Sequence, residues 1–143
     1  MILNDMSMII RYNHIFMNRS LSHTDIASNE YYLLMYLFSS DEVTQDDISE
    51  YFGIDKGSIS KTISSLEQKG YVQRQINQEN RRSNIITITK KGRSTFSETK
   101  KILDQWHQSI LHNITKDQLE TMGDALEKMA CNAKRALESE HDE

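Results

Sequence analysis

Between Asp55 and Arg93 the chain carries nine lysines and arginines against three acids, a local charge of +6, whereas the whole of its 143 residues sums to −4 and the remainder therefore to −10. The cations keep particular company. Lys56, Gly57, Ser58, Ser60, Lys61 and Ser64 share one stretch, KGSISKTISSLEQ, and Arg74, Arg81 and Arg82 fall in the stretch that follows. Ammonium, guanidinium and hydroxyl groups in this mixture can donate to phosphate oxygens and to base edges. An acidic remainder repels a polyanion everywhere else on the surface, which concentrates contact on this segment.

Such donors act only if the backbone presents them together. Thr44 with Asp47 three residues later is a capping-box pattern, and Ile48, Tyr51 and Phe52 follow at helical spacing, so a short helix is expected over 45–52. Gly53 stops it. Asp55 can cap a second helix whose Ile59, Ile63 and Leu66 line one face and which ends at Gly70. Opposite that face, at 100° per residue, lie Gly57, Lys61, Ser64 and Gln68, flanked by Ser58, Ser60 and Ser65. An ordinary solvated face carries longer, better helix formers. Gly57 costs a helix roughly 0.5–1 kcal/mol relative to alanine, which suits a backbone that must approach a surface such as DNA. Next, 71–76 alternates apolar with polar residues, Ile86 and Ile88 return as a partner strand, and 77–83 forms the tip between them. Two adjacent arginines on such a tip point to phosphate or narrow minor-groove contact. Helix, turn, helix and hairpin in this order make a winged helix, so the fold class is mainly α with a small β-hairpin wing.

The segment resembles the MarR family of winged-helix transcriptional regulators. The family pattern opens its recognition helix at an Asp, here Asp55, and closes it with Leu-Glu-x-x-Gly, here Leu66, Glu67, Gln68, Lys69 and Gly70. A strand ending in Arg follows (Arg74), then an acidic-basic wing tip (Asn80, Arg81, Arg82) and a closing Leu-Thr-x-x-Gly (Ile88, Thr89, Lys90, Lys91, Gly92). Two positions depart from the pattern. Asn80 replaces the wing Asp that in the family pairs with an Arg matched by Arg82, and Gly57 stands where a hydroxyl residue is more common. Glu79 is the neighbouring acid that can take over the pairing.

The resemblance covers the whole chain and implies one MarR-like domain over 1–143, with a DNA-binding region over 28–92 and helical dimerisation regions over 1–22 and 93–143. Those flanks read accordingly. A helix is expected over 3–18, a nearly all-apolar one over 29–39 capped by Ser28, and another from a Thr89 cap to about 113. A last helix opens at Thr115 and Gln118, with Leu119, Met122, Leu126, Met129, Ala133 and Leu137 forming a narrow stripe. That stripe packs either within its own subunit or against a partner. A homodimer is expected, because one winged helix reads few base pairs and a two-fold dimer reads two half-sites. The acidic end over 138–143 is expected to fray.

The implied function is a sequence-specific regulator of double-stranded DNA, a repressor under small-molecule control, with an effector pocket between the dimer helices and the winged helix. Tyr12, His14, Tyr32, Tyr36 and Trp106 are its candidates by element, each equally readable as core. The alternatives are a winged-helix protein-interaction module without duplex binding, or a redox-responsive regulator using Cys131. The lone cysteine reads more simply as a small buried residue. There is no phosphate loop, no Cys-x-x-Cys and no nucleophile elbow, and His107 and His112 are ill spaced to share a metal, so neither enzyme, cofactor nor metal is expected. No apolar run reaches the roughly 18 residues of a membrane span, and the N-terminus lacks a signal-peptide pattern, so a soluble, cytoplasmic protein is expected.

Overall fold

The computed structural model describes residues 1–40 and 42–139, so the acidic end from 140 onward lies outside the described residues. The chain forms two compact units, Met1–Gln105 and Trp106–Glu143. The first contains α1 (Ile2–Leu21), α2 (Ser28–Phe38), β1 (Val43–Thr44), α3 (Gln45–Phe52), α4 (Lys56–Gln68), β2 (Val72–Ile76), β3 (Asn84–Ile88) and most of α5 (Lys90–Ile110). The second contains the end of α5 and α6 (Lys116–Ser139). Among the described residues no helix is long and apolar enough to cross a membrane. This is the winged helix expected from the sequence, mainly α with a small sheet.

The local reasons match the sequence closely around the helix-turn-helix. Thr44 accepts from the Asp47 amide while the Asp47 carboxylate accepts from the Thr44 amide, closing the capping box of α3. Gly53 ends α3 at φ +62°, a left-handed conformation that costs other residues strain. Asp55 then accepts from the Ser58 amide at 2.9 Å and caps α4. Ile59, Ile63 and Leu66 are buried with Ile48 of α3 and Leu33, Leu34 and Leu37 of α2. Burying side chains of this size contributes about 1.5–3 kcal/mol each, so this cluster holds the helices together.

The hairpin pairs Val72 with Ile88, Arg74 with Ile86 and Ile76 with Asn84, leaving 77–83 as the tip. A third strand joins it. Val43 pairs with Ile86 and Thr44 with Ile85, so the sheet order is β1-β3-β2. Two residues are too few to show an alternation, which is why β1 is silent in the sequence.

Three helix boundaries differ from expectation, the end of α5 among them, at Ile110 and not about 113. The cap of α2 is Ala27 and not Ser28, because Ser28 donates its hydroxyl to Asn18 at 2.7 Å while Glu30 accepts from the Ala27 amide at 2.8 Å. α1 runs three residues past 18, and Leu21, one turn after Met17, joins Met17 in the core. In the second unit Thr115 and Gln118 exchange hydrogen bonds as a capping box. None of the residues of α6 is buried.

The hairpin is tied to α5 by a Thr-x-x-Gly device. Thr89 caps α5 by accepting from the Gly92 amide at 3.0 Å and donates its own hydroxyl to the Gly70 carbonyl at 2.7 Å. Gly92 lies so close to β2 that a Cβ there would overlap the Tyr71 carbonyl and sit 2.7 Å from the Ile88 side chain. Helix propensity alone favours Gly92→Ala by up to about 1 kcal/mol. We expect the clash to reverse the sign and destabilise the protein by about 1–3 kcal/mol, read as a lower urea midpoint with unchanged slope.

Candidate nucleic-acid interface

The solvent face of α4 is the one inferred from its apolar stripe. Lys56, Gly57, Ser58, Lys61 and Gln68 are exposed, and Ser60 and Ser64 are half-buried. Among the described residues Lys61 enters no ion pair, and Lys56 pairs with Asp46 at 2.9 Å with both side chains largely in solvent. An exposed pair of this kind is worth about 0–1 kcal/mol, so an incoming phosphate can displace Asp46 at little cost. Beside Gly57 the nearest atom to an added Cβ is an oxygen of the capping Asp55 carboxylate, 3.1 Å away, and, its chain neighbours and the helix backbone aside, no other atom lies within 4 Å, so that flank of the helix presents bare backbone.

Not every donor of the set is available. The Ser58 hydroxyl donates to Asp55 at 2.7 Å, so toward a ligand it remains an acceptor. Arg74 is turned inward. Its Nη2 donates to Ser64 at 3.0 Å and its Nε lies 3.5 Å from Glu67, which fastens β2 to α4. Ser64, having accepted from Arg74, keeps its own proton to donate.

The far end of α4 is anchored on a buried charge. Glu30 of α2, only 3% exposed, accepts from the Ala27 amide, from Ser65 and from Lys69, whose Nζ is 2.7 and 2.9 Å from its two oxygens. Desolvation pushes the Glu30 carboxyl up, but hydrogen bonds from Lys69, Ser65 and Ala27, with the Lys69 charge, outweigh it and leave its pKa below the ordinary 4.5. Alongside, the Tyr71 hydroxyl donates to Asp25, and burial together with that bond pushes the tyrosine up to about 12, so it stays protonated. Lys91 lies 4.4 Å over the Tyr71 ring and donates to the Lys69 carbonyl. Three of the nine cations, Lys69, Arg74 and Lys91, thus brace the fold.

The wing tip is ordered by asparagine side chains on backbone amides. Asn77 accepts from the amides of Glu79 at 3.0 Å and Asn80 at 3.3 Å, and Asn80 accepts from the Arg82 amide at 3.1 Å. Arg81 and Arg82 are exposed, and among the described residues neither forms an ion pair with Glu79. Arg82 and Asn80 share with Lys56, Asp46 and Gln45 the walls of a cavity of about 400 Å³, which places wing and helix-turn-helix side by side.

Comparison with known proteins bears on this arrangement. Residues 30–106 match the family model described as a winged helix DNA-binding domain. A MarR transcriptional regulator from Methanosarcina mazei Go1 is 30% identical, superposes with a TM-score of 0.81, and is matched over 97% of its length and 94% of this chain. The chain belongs to the MarR family. The HTH-type transcriptional regulator YdgJ of Bacillus subtilis (strain 168), named as uncharacterised, is 28% identical over 76% of this chain. That match spans 66% of the Bacillus protein, just under two thirds of its length. A cysteine-to-serine mutant of MarR from E. coli, solved in complex with operator DNA, shares the fold at a TM-score of 0.77 and 22% identity, covering 88% of this chain and 91% of its own.

In MarR-family terms, the Asn80 departure removes a charged pair at the wing but not the tip's order, which the amide bonds supply. The effector candidates stand on α1, α2 and α5. Tyr12 and His14 are exposed on α1, Tyr32 accepts from Asn13 at 3.0 Å, Tyr36 stacks on Tyr51 at 4.4 Å, and Trp106, half-buried, begins the second unit. Of these five only Tyr32 lines the apolar cavity of about 360 Å³ behind α4, with Leu33, Phe52, Ile54, Ile59 and Thr62. Cys131 is exposed, which corrects its reading as a buried apolar residue: it lies on the side of α6 opposite the Leu119–Leu137 stripe. Among the described residues no group of three or more His, Cys, Asp and Glu could hold a metal.

Sequence reasoning missed Glu30, Ser65, Lys69, Asp25 and Tyr71 as a network. One signal was available: Glu30 is the single charge in SNEYYLLMYLF, and an acid on an apolar helix needs partners. Because its folded pKa is depressed, its contribution to stability is present above the ordinary value of 4.5 and is lost as pH falls through the folded pKa. Urea midpoints measured from neutral pH downward should therefore show wild type well above Glu30→Gln, with the gap closing at acid pH. A gap independent of pH would deny Glu30 its ionised role.

Proposed function

We propose that this chain is a homodimeric transcriptional regulator that reads specific duplex DNA, acting in the cytoplasm as a repressor whose DNA affinity an effector alters. The observation that carries this reading is the solvent face of α4, where Lys61 enters no ion pair among the described residues and stands between a capped N-terminus and a braced C-terminus, on the helix whose Lys56 shares a cavity wall with the wing's Arg82. A rigid donor array of this kind meets the requirement for base readout in a major groove, with the wing on flanking phosphates. The E. coli MarR mutant of the same fold, solved in complex with operator DNA, supports duplex DNA as the ligand.

Support for the dimer comes from uncovered apolar surface. Ile2, Leu3, Ile9 and Ile10 of α1 are exposed, as are Met122, Leu126 and Leu137 of α6, more than a monomer ordinarily leaves in water. A second copy covering these faces would set the spacing of two reading heads about one helical turn apart. An effector that enters the cavity behind α4 would touch Ile59 and Thr62 on the back of the reading helix. It would act by favouring one spacing of the heads over another.

The test is fluorescence anisotropy on a duplex that the wild-type protein enriches from a randomised pool, against a shuffled duplex, across a salt series. Tighter binding to the enriched duplex that weakens steeply with salt is expected; salt-insensitive capture of a protein and no duplex affinity would favour the interaction module. Lys61→Ala should cost about 1–3 kcal/mol and relax preference at one base position. Arg81→Ala with Arg82→Ala should weaken both duplexes alike and reduce the log–log salt slope by about 1–2.

A further inference from the structure

Glu30 does more than its place in α2 requires. As the third residue of that helix it accepts from the Ala27 amide, which satisfies the helix start. That bond needs neither Ser65 nor Lys69. Yet Ser65 of α4 donates to one Glu30 oxygen at 2.5 Å, and Lys69, the residue that ends α4, reaches both. Both donors belong to the last turns of α4, and Ser65 adjoins Ser64 on the reading face.

The other end of α4 is held separately, by the Asp55 cap and by Gln45, which donates to the Lys56 carbonyl at 3.2 Å. Between these ends the helix rests on Ile59, Ile63 and Leu66, with two partly exposed links beside them, Arg74 of β2 donating to Ser64 and Asn29 of α2 donating to Thr62. Hydrophobic contact is non-directional and tolerates small rotations of a helix about its axis. Hydrogen bonds to a buried, immobile carboxylate are directional and do not. A rotation of 10–20° is enough to misplace side chains aimed at base edges.

We propose that Glu30 is a positioning residue for DNA reading, a buried charge that fixes the rotation of α4 through Ser65 and Lys69 so that Lys61 and Ser64 address the groove. It rests on the DNA-reading function proposed above. Glu30 touches no DNA in this account, and Ser65 is reserved for the carboxylate.

Two variants test this. Glu30→Gln keeps the shape and removes the charge. Ser65→Ala is the milder variant: it cuts one link from the α4 side, leaves Lys69 on both carboxylate oxygens and improves helix propensity. Each is titrated on the enriched and shuffled duplexes at a temperature where circular dichroism shows it fully folded. The ratio of enriched to shuffled affinity should fall about tenfold in Glu30→Gln and about threefold in Ser65→Ala, with shuffled-duplex affinity and salt slope unchanged. A merely structural role lowers the melting temperature and leaves that ratio intact, so wild-type ratios in both folded variants would overturn the proposal. If Glu30→Gln fails to fold, the ratio in Ser65→Ala decides alone. A wild type with no preference for any duplex overturns the DNA-reading function, and the positioning role with it.

Discussion

A carboxylate buried where α2 meets α4 must be fully partnered or it cannot stay charged, and this requirement shapes the first unit. Glu30 is satisfied only if Ala27 starts α2, if Ser65 faces α2 and if Lys69 folds back over the end of α4. Lys69 then offers its carbonyl to Lys91 of α5, and Lys91 lies over the Tyr71 ring at the root of the hairpin. One desolvated charge thereby links three helices and the wing. Breaking such a set from one side leaves an unpaired ion in a dry site, which costs far more than the net worth of the pair.

The same logic sorts the basic charge. A surplus of +6 over 55–93 suggests nine equivalent cations, but the structure divides them by work. Lys69, Arg74 and Lys91 hold helix, sheet and α5 in register. Lys61, Arg81 and Arg82 face solvent without internal partners among the described residues and remain available for a polyanion. Charge counting finds the surface; burial and partners decide which charges act on it.

What was legible in the sequence was whatever is local. Thr44 with Asp47, Gly53, Asp55 and Thr89 act through hydrogen bonds or dihedral angles spanning a few residues, and each caps or stops the element expected of it. Alternation located the hairpin, with β2 starting one residue later than expected, and the tip over 77–83 to the residue. What depends on residues far apart was not legible. β1 exists because Ile86 pairs with Val43, Arg74 turns inward because Ser64 and Glu67 meet it, and Ser28 does not cap α2 because Asn18 takes its hydroxyl. Cys131 was misread because a lone cysteine's prior is burial, whereas α6 leaves all its described residues exposed or half-exposed.

The most direct test of the reading-head geometry is affinity cleavage on the enriched duplex. In a Cys131→Ser background, an iron chelate is tethered in turn to K61C and R82C, and cut positions are mapped on both strands. The account predicts cuts within each half-site from position 61 and cuts displaced to the outer flank from position 82, related by a two-fold axis. Identical or dispersed cutting from the two positions would contradict it.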